Sequence, residues 1–111
     1  MNIELKEPES PEDVILLAVL ASARGKFDLG DVAVTNGVME NFRQPFVILC
    51  LTRHRLGDWG ALDDEDKEAN DNALHGRERL LSAYLAPNGE KLYVITEWDR
   101  KLTTVLMPDE Y

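Results

Sequence analysis

His54 and Asp58, inside Arg53-His54-Arg55-Leu56-Gly57-Asp58-Trp59-Gly60, are the residues of this chain best spaced for acid–base chemistry. Imidazole is the side chain whose ordinary pKa lies nearest neutrality, and a carboxylate four residues on could orient it as a base. Such a pair would suit a small hydrolase, with Glu97 or Ser82 completing the site from a later segment. A plainer reading uses the same residues. His54 would meet the negative end of a helix that stops at Gly57, and Asp58 would brace the following loop through backbone N–H groups. Ser82 lies in plain strand-like sequence rather than a nucleophile elbow. Cys50 lies in an apolar helical run, where burial raises a thiol's pKa and removes the thiolate. As the single cysteine it excludes an internal disulfide and a multi-cysteine metal site.

A second group of residues suits binding: Trp59, Asp63, Asp64, Asp66 and Asp71. Trp59, close to Gly57 and Gly60, reads either as an exposed anchor for a partner or as a cover for the core beneath its loop. The acidic stretch does not fit a calcium loop, which needs alternating ligands, a central glycine and a terminal glutamate. Nor could one short helix imitate much of DNA, which carries a charge about every 1.7 Å of axis. Arg53, Arg79 and Arg100 read as partners of local carboxylates rather than as an anion site.

These candidates need elements to hold them. Ser10-Pro11-Glu12-Asp13 reads as a helix start, with Ser10 as N-cap and Pro11 in the first turn. That helix runs over 10–24 to Gly25 and carries Val14, Leu17, Ala18 and Ala21 on one face. Apolar residues elsewhere on it suggest burial on more than one side, or a homodimer through this helix. Residues 27–34 are β-inclined, and 38–42 fit a helical turn. A helix over 44–56 aligns Phe46, Val47, Cys50, Leu51 and His54. Another over 63–75 begins with Asp63 as cap and has a thin stripe of Ala69, Ala73 and Leu74. After Gly76 the period changes to two. Strands at 80–85, 92–98 and 102–107 are joined by Asn88-Gly89 and by 98–101, giving a three-stranded antiparallel meander over about 79–107. Alternation places Leu92, Val94, Thr96 and Trp98 on the face that meets the helices. The expectation is a single α+β domain over 10–111, with the meander packed against two or three helices and a polar arm at 1–9.

The 111 residues suffice for one domain, and 44% are hydrophobic, enough for a core. Net charge is −9 and uneven: residues 58–78 hold eight acids against two bases. No basic stripe exists to displace counterions from a phosphate backbone, so direct nucleic-acid binding is not expected. The apolar run Val14–Ala21 is too short to span a bilayer and follows an acidic lead, so the expected place is the cytoplasm, away from membranes. No cofactor motif and no metal-ligand spacing are present.

Separated blocks carry a resemblance: Arg53-His54, Gly57-Asp58-Trp59-Gly60, Asp66-Lys67-Glu68-Ala69-Asn70, Arg79-Leu80-Leu81-Ser82-Ala83-Tyr84, Thr96-Glu97-Trp98-Asp99-Arg100, Thr103-Thr104 and Pro108-Asp109-Glu110-Tyr111. In this order they resemble a family of small uncharacterised proteins of bacterial plasmids, integrative elements and prophages. Some members are labelled as a subunit of type I restriction enzymes, yet this chain has no methyltransferase glycine loop and no nuclease motif. The resemblance covers residues 52–111 and implies a mobile-element setting without a mechanism. With the acidity, it favours binding to a protein with a basic surface over catalysis. Inhibition of a host restriction or CRISPR system is the concrete form. The alternatives are the His54–Asp58 hydrolase and a structural dimer without catalysis.

Overall fold

A computed structural model describes residues 25–111, so the polar arm at 1–9 and the helix expected at 10–24 lie outside the described residues. The described chain is α+β. Strand β1 (Asp31–Val34) leads into helix α1 (Asn36–Asn41), helix α2 (Gln44–Arg55) and helix α3 (Asp64–Gly76). Strands β2 (Leu80–Leu85), β3 (Lys91–Thr96) and β4 (Leu102–Leu106) follow, and a short 3-10 turn covers Pro108–Glu110. The meander forms as the turn residues demand: Leu80 pairs with Thr96 and Leu85 with Lys91, and β3 then pairs with β4 from Tyr93–Leu106 to Thr96–Thr103.

The sheet has a fourth strand that the meander alone does not supply. β1 adds in parallel to β4, with Val32 beside Thr103 and Val34 beside Val105, giving the order β1-β4-β3-β2. A strand of four residues carries too little alternation to announce its partner. Its parallel placement depends on a crossover through the later helices and the meander.

One face of the sheet and α2 enclose the main core, with Val47, Cys50 and Leu51 of α2 on Tyr84, Leu92 and Val94. A smaller cluster of Trp59, Ala73 and Leu80 sits under α3. The apolar stripe of α3 is thinner than its spacing suggests. Ala73 is buried and Leu74 half-buried, but Ala69 is exposed. Arg77, not Gly76, adopts the left-handed conformation that ends this helix (φ 55°).

The middle strand also ends sooner than expected. Leu92, Val94 and Thr96 face the core, but Trp98 is 61% exposed. β3 stops at Thr96, and the turn rotates Trp98 off the pleat before its alternation can point it inward. Among the described residues no helix is long and apolar enough to cross a membrane.

Candidate functional site

The segment 53–60 is built by a helix ending. At the end of α2, Gly57 N–H donates to the His54 carbonyl and Asp58 N–H to the Arg53 carbonyl, at 3.0 and 2.9 Å. This is the Schellman pairing, which needs a left-handed residue, and Gly57 supplies it at φ 80°. The reversal throws Asp58 outward. Its carboxylate accepts from Arg53 Nε at 2.6 Å and Nη2 at 3.2 Å, and from Gly60 N–H at 3.2 Å. The Arg53 hydrogen bond holds the Asp58 carboxyl below its ordinary range, and the same bond raises Arg53. Asp58 therefore braces the loop and does not orient His54.

His54 turns the other way and is fully buried. Its Nδ1 lies 2.6 Å from Ser82 Oγ, and its Nε2 lies 2.9 Å from Thr96 Oγ1. Thr96 Oγ1 lies 2.7 Å from Thr103 Oγ1, which donates to the Leu29 carbonyl at 2.7 Å. Each hydroxyl has one proton, and a carbonyl only accepts, so the direction of the chain follows. Thr103 gives its proton to Leu29 and Thr96 gives its proton to Thr103. Thr96 then accepts from His54 Nε2–H, and Nδ1 accepts from Ser82. One neutral imidazole tautomer satisfies the whole seam. Burial, with a smaller contribution from the Arg100 charge, pushes the His54 pKa down to about 3.

The aromatic wall completes the seal. Phe27 and Trp59 meet the imidazole edge-on, with centroids 5.1 and 5.7 Å away. Trp59 is buried at 3% exposure, so it is not a surface anchor; it covers the core. Its Nε1 donates to Asp71 at 2.9 Å. Gly60 lets this loop touch the sheet. At φ 77° it bridges Ala83, and an added Cβ would collide with the Ala83 carbonyl and the Tyr84 ring.

The hydrolase constellation is thus not assembled. Ser82 and His54 are in contact, but both are fully buried and no carboxylate orients the ring. Glu97 lies on the opposite side of β3 from Thr96 and accepts from Arg79 at 3.0 Å. Burial raises Cys50 to about 12, so its thiol is not a nucleophile. Arg100 departs from the expected carboxylate pairing. It donates to the backbone carbonyls of Ala73, Glu78 and Glu97, tying the β3–β4 turn to the end of α3.

The acidic residues divide by role. Asp63 caps α3, accepting from Asp66 N–H at 2.8 Å, and Asp71 holds Trp59. Asp64, Glu65, Asp66 and Glu68 have exposed side chains on the same helix. Among the described residues no cluster of three or more His, Cys, Asp or Glu side chains is placed to hold a metal ion.

Asn70 escaped the sequence reading. Its side-chain amide donates to the Leu81 carbonyl at 2.6 Å and accepts from Leu81 N–H at 3.2 Å, covering part of the free edge of β2. Only the position of a polar residue inside a helical stripe could have hinted at it. Compared with protein-family models, curated proteins and solved structures, the chain finds no match.

Proposed function

We propose that this protein acts by binding a protein with a basic surface, and not by catalysis. The observation that carries this reading is the contrast in access. The histidine is sealed with both ring nitrogens engaged, while Asp64, Glu65, Asp66 and Glu68 stand open on α3. Opposed charges speed encounter and fix register between proteins. Trp98 adds an exposed aromatic on the turn that Arg100 ties to the Ala73 carbonyl of α3. An aromatic held in place by its own backbone is suited to anchor an interface.

The concrete partner is a host enzyme that attacks incoming nucleic acid, as the mobile-element resemblance suggests. The test is protection of a transforming plasmid in cells with a restriction or CRISPR system. Asp64→Asn, Glu65→Gln and Glu68→Gln together remove charge but leave the Asp63 cap and the Asp71 bond intact. We expect this variant to lose protection with an unchanged circular dichroism spectrum, and a folded His54→Gln variant to keep it. Protection that survives charge removal but disappears with His54→Gln would overturn binding in favour of catalysis.

A further inference from the structure

The β2–β3 hairpin has two differently furnished ends. Its Leu80–Thr96 end leads to the turn that Arg100 braces. Its Leu85–Lys91 end, about 17 Å away along the strands, meets the start of α2 across an open groove. The groove holds about 450 Å³, within the range of small-ligand pockets. None of its lining residues belongs to α3.

One wall is aromatic and fixed. The Phe42 and Phe46 rings stack with centroids 5.6 Å apart and 17° between their planes, and both pack on the main core. Leu49, the next apolar residue of α2 on this wall, is 41% exposed, although its neighbours Ile48 and Cys50 are fully buried. Ala86 and Pro87 form the opposite wall. Their turn is held by Ala86 N–H donating to the Glu90 carbonyl at 2.8 Å and Gly89 N–H donating to the Ala86 carbonyl at 2.9 Å.

The polar groups at this groove are donors in search of an acceptor. Arg53 and Arg79 pair with carboxylates, but the exposed Arg43 side chain makes no ion pair or hydrogen bond among the described residues. No carboxylate lines the groove to neutralise it. Asn88 Oδ1 accepts from Glu90 N–H at 3.0 Å, which leaves the Asn88 amide nitrogen free to donate. A ligand that fits must therefore bring an apolar body and an anionic acceptor. An extended peptide finds little main-chain pairing here. Pro45 and Pro87 have no N–H, and the N–H groups of Phe46 and Ala86 are spent on Arg43 and Glu90. The β2 edge leading to the groove is taken at Leu81 by Asn70 and at Ala83 by Trp59 and Ala61.

We propose that this groove binds a small carboxylate with an aryl body. The ring lies among Phe46, Leu49 and Pro87, the carboxylate meets Arg43, and the Asn88 amide supplies a second donor. The site is independent of the acidic face of α3.

Titration of the full chain with phenylacetate, followed through amide chemical shifts, tests this. Saturable shifts should centre on Phe46, Leu49 and Asn88, with a Kd of about 1 mM or tighter. Phenylacetamide, the neutral counterpart, should bind about fivefold more weakly, the scale of an exposed ion pair. Arg43→Gln should erase that preference and keep α2 intact, because the Arg43 side chain makes no cap bond. Leu49→Glu sets a carboxylate in the groove and should weaken phenylacetate more than phenylacetamide. Equal binding of the two compounds, shifts centred elsewhere, a preference that survives Arg43→Gln, or indifference to Leu49→Glu would overturn the proposal. A capped tryptophanyl-aspartate dipeptide that binds more than about tenfold tighter than phenylacetate would also overturn it, and would assign the groove to a segment of a partner protein.

Discussion

The two tryptophans of this chain take opposite places, and only Trp98 departs from what its sequence setting suggests. Trp59 sits in a loop beside two glycines and is 3% exposed. Trp98 continues the alternation of an apolar strand and is 61% exposed. The difference lies in what each backbone does next. After Trp59, Gly60 presses the loop against Ala83, so the indole is trapped between Phe27, His54 and the end of α3. After Thr96 the strand is over, and Arg100 holds the turn in a conformation that faces the indole outward. Pleat alternation governs side chains only while the ladder lasts.

The sharpest way to break this contrast is to delete the buried ring. Trp59→Ala removes a core aromatic and the partner of Asp71, and leaves one wall of the His54 seam empty. We expect a loss of about 3–5 kcal/mol in urea unfolding, the range for large aromatic truncation. Trp59→Phe should retain much of that packing and lose less. If Trp59→Ala costs under about 0.5 kcal/mol, the range of ordinary surface changes, the loop is not part of the core.

The seam behind Trp59 makes the next largest effect, and its sign is fixed by the direction of the shift. Folded His54 stays neutral down to about pH 3, whereas its ordinary value is 6.5. Between those values the unfolded chain binds a proton that the folded chain refuses, so stability falls as pH falls. The contribution is complete above about pH 6.5. From pH 7 to pH 5 the loss attributable to His54 is about 2 kcal/mol. His54→Gln keeps polar atoms near Ser82 and Thr96 but has no proton to take up. Wild type should therefore lose about 2 kcal/mol more than His54→Gln over this interval. Equal losses would mean that the folded imidazole charges freely and the seam opens to water.

How much of this was legible follows from range. Asn88-Gly89 and the period-two runs specify a hairpin locally, and β2 and β3 form it as an antiparallel pair, Leu80 opposite Thr96. Asp63 caps α3 because its partner, Asp66 N–H, is three residues away. Gly57 stops α2 for an equally local reason. What failed depends on distant partners. β1 joins β4 across about 70 residues of chain. The hydrolase reading paired His54 with Asp58 because residues four apart share a helical face, but the helix ends between them and sends them to opposite sides, leaving Asp58 to brace the loop as its plainer reading has it. Of the true partners of His54, Ser82 is one of the two residues the sequence offered to it, whereas Thr96 is an ordinary strand hydroxyl until the sheet aligns it.

The smallest stability effect should come from Trp98, and its smallness is what makes it informative. Trp98→Ala removes an indole that is mostly in water, and Arg100 bonds the turn through backbone carbonyls that the substitution leaves in place. We expect stability within about 0.5 kcal/mol of wild type, as for a surface residue without buried partners. Acrylamide should quench Trp98 strongly and Trp59 weakly, so the quenchable emission should disappear in the Trp98→Ala variant and persist in Trp59→Phe. If Trp98 anchors a partner, the same variant should lose plasmid protection while its unfolding curve overlays that of wild type. Truncating an interface hot spot costs at least about 2 kcal/mol of binding, some thirtyfold in affinity, with no call on the stability of the free protein. A Trp98→Ala protein that keeps full protection would confine the binding surface to the acidic face of α3. One that unfolds early would show instead that the exposed indole is stapling the β3–β4 turn.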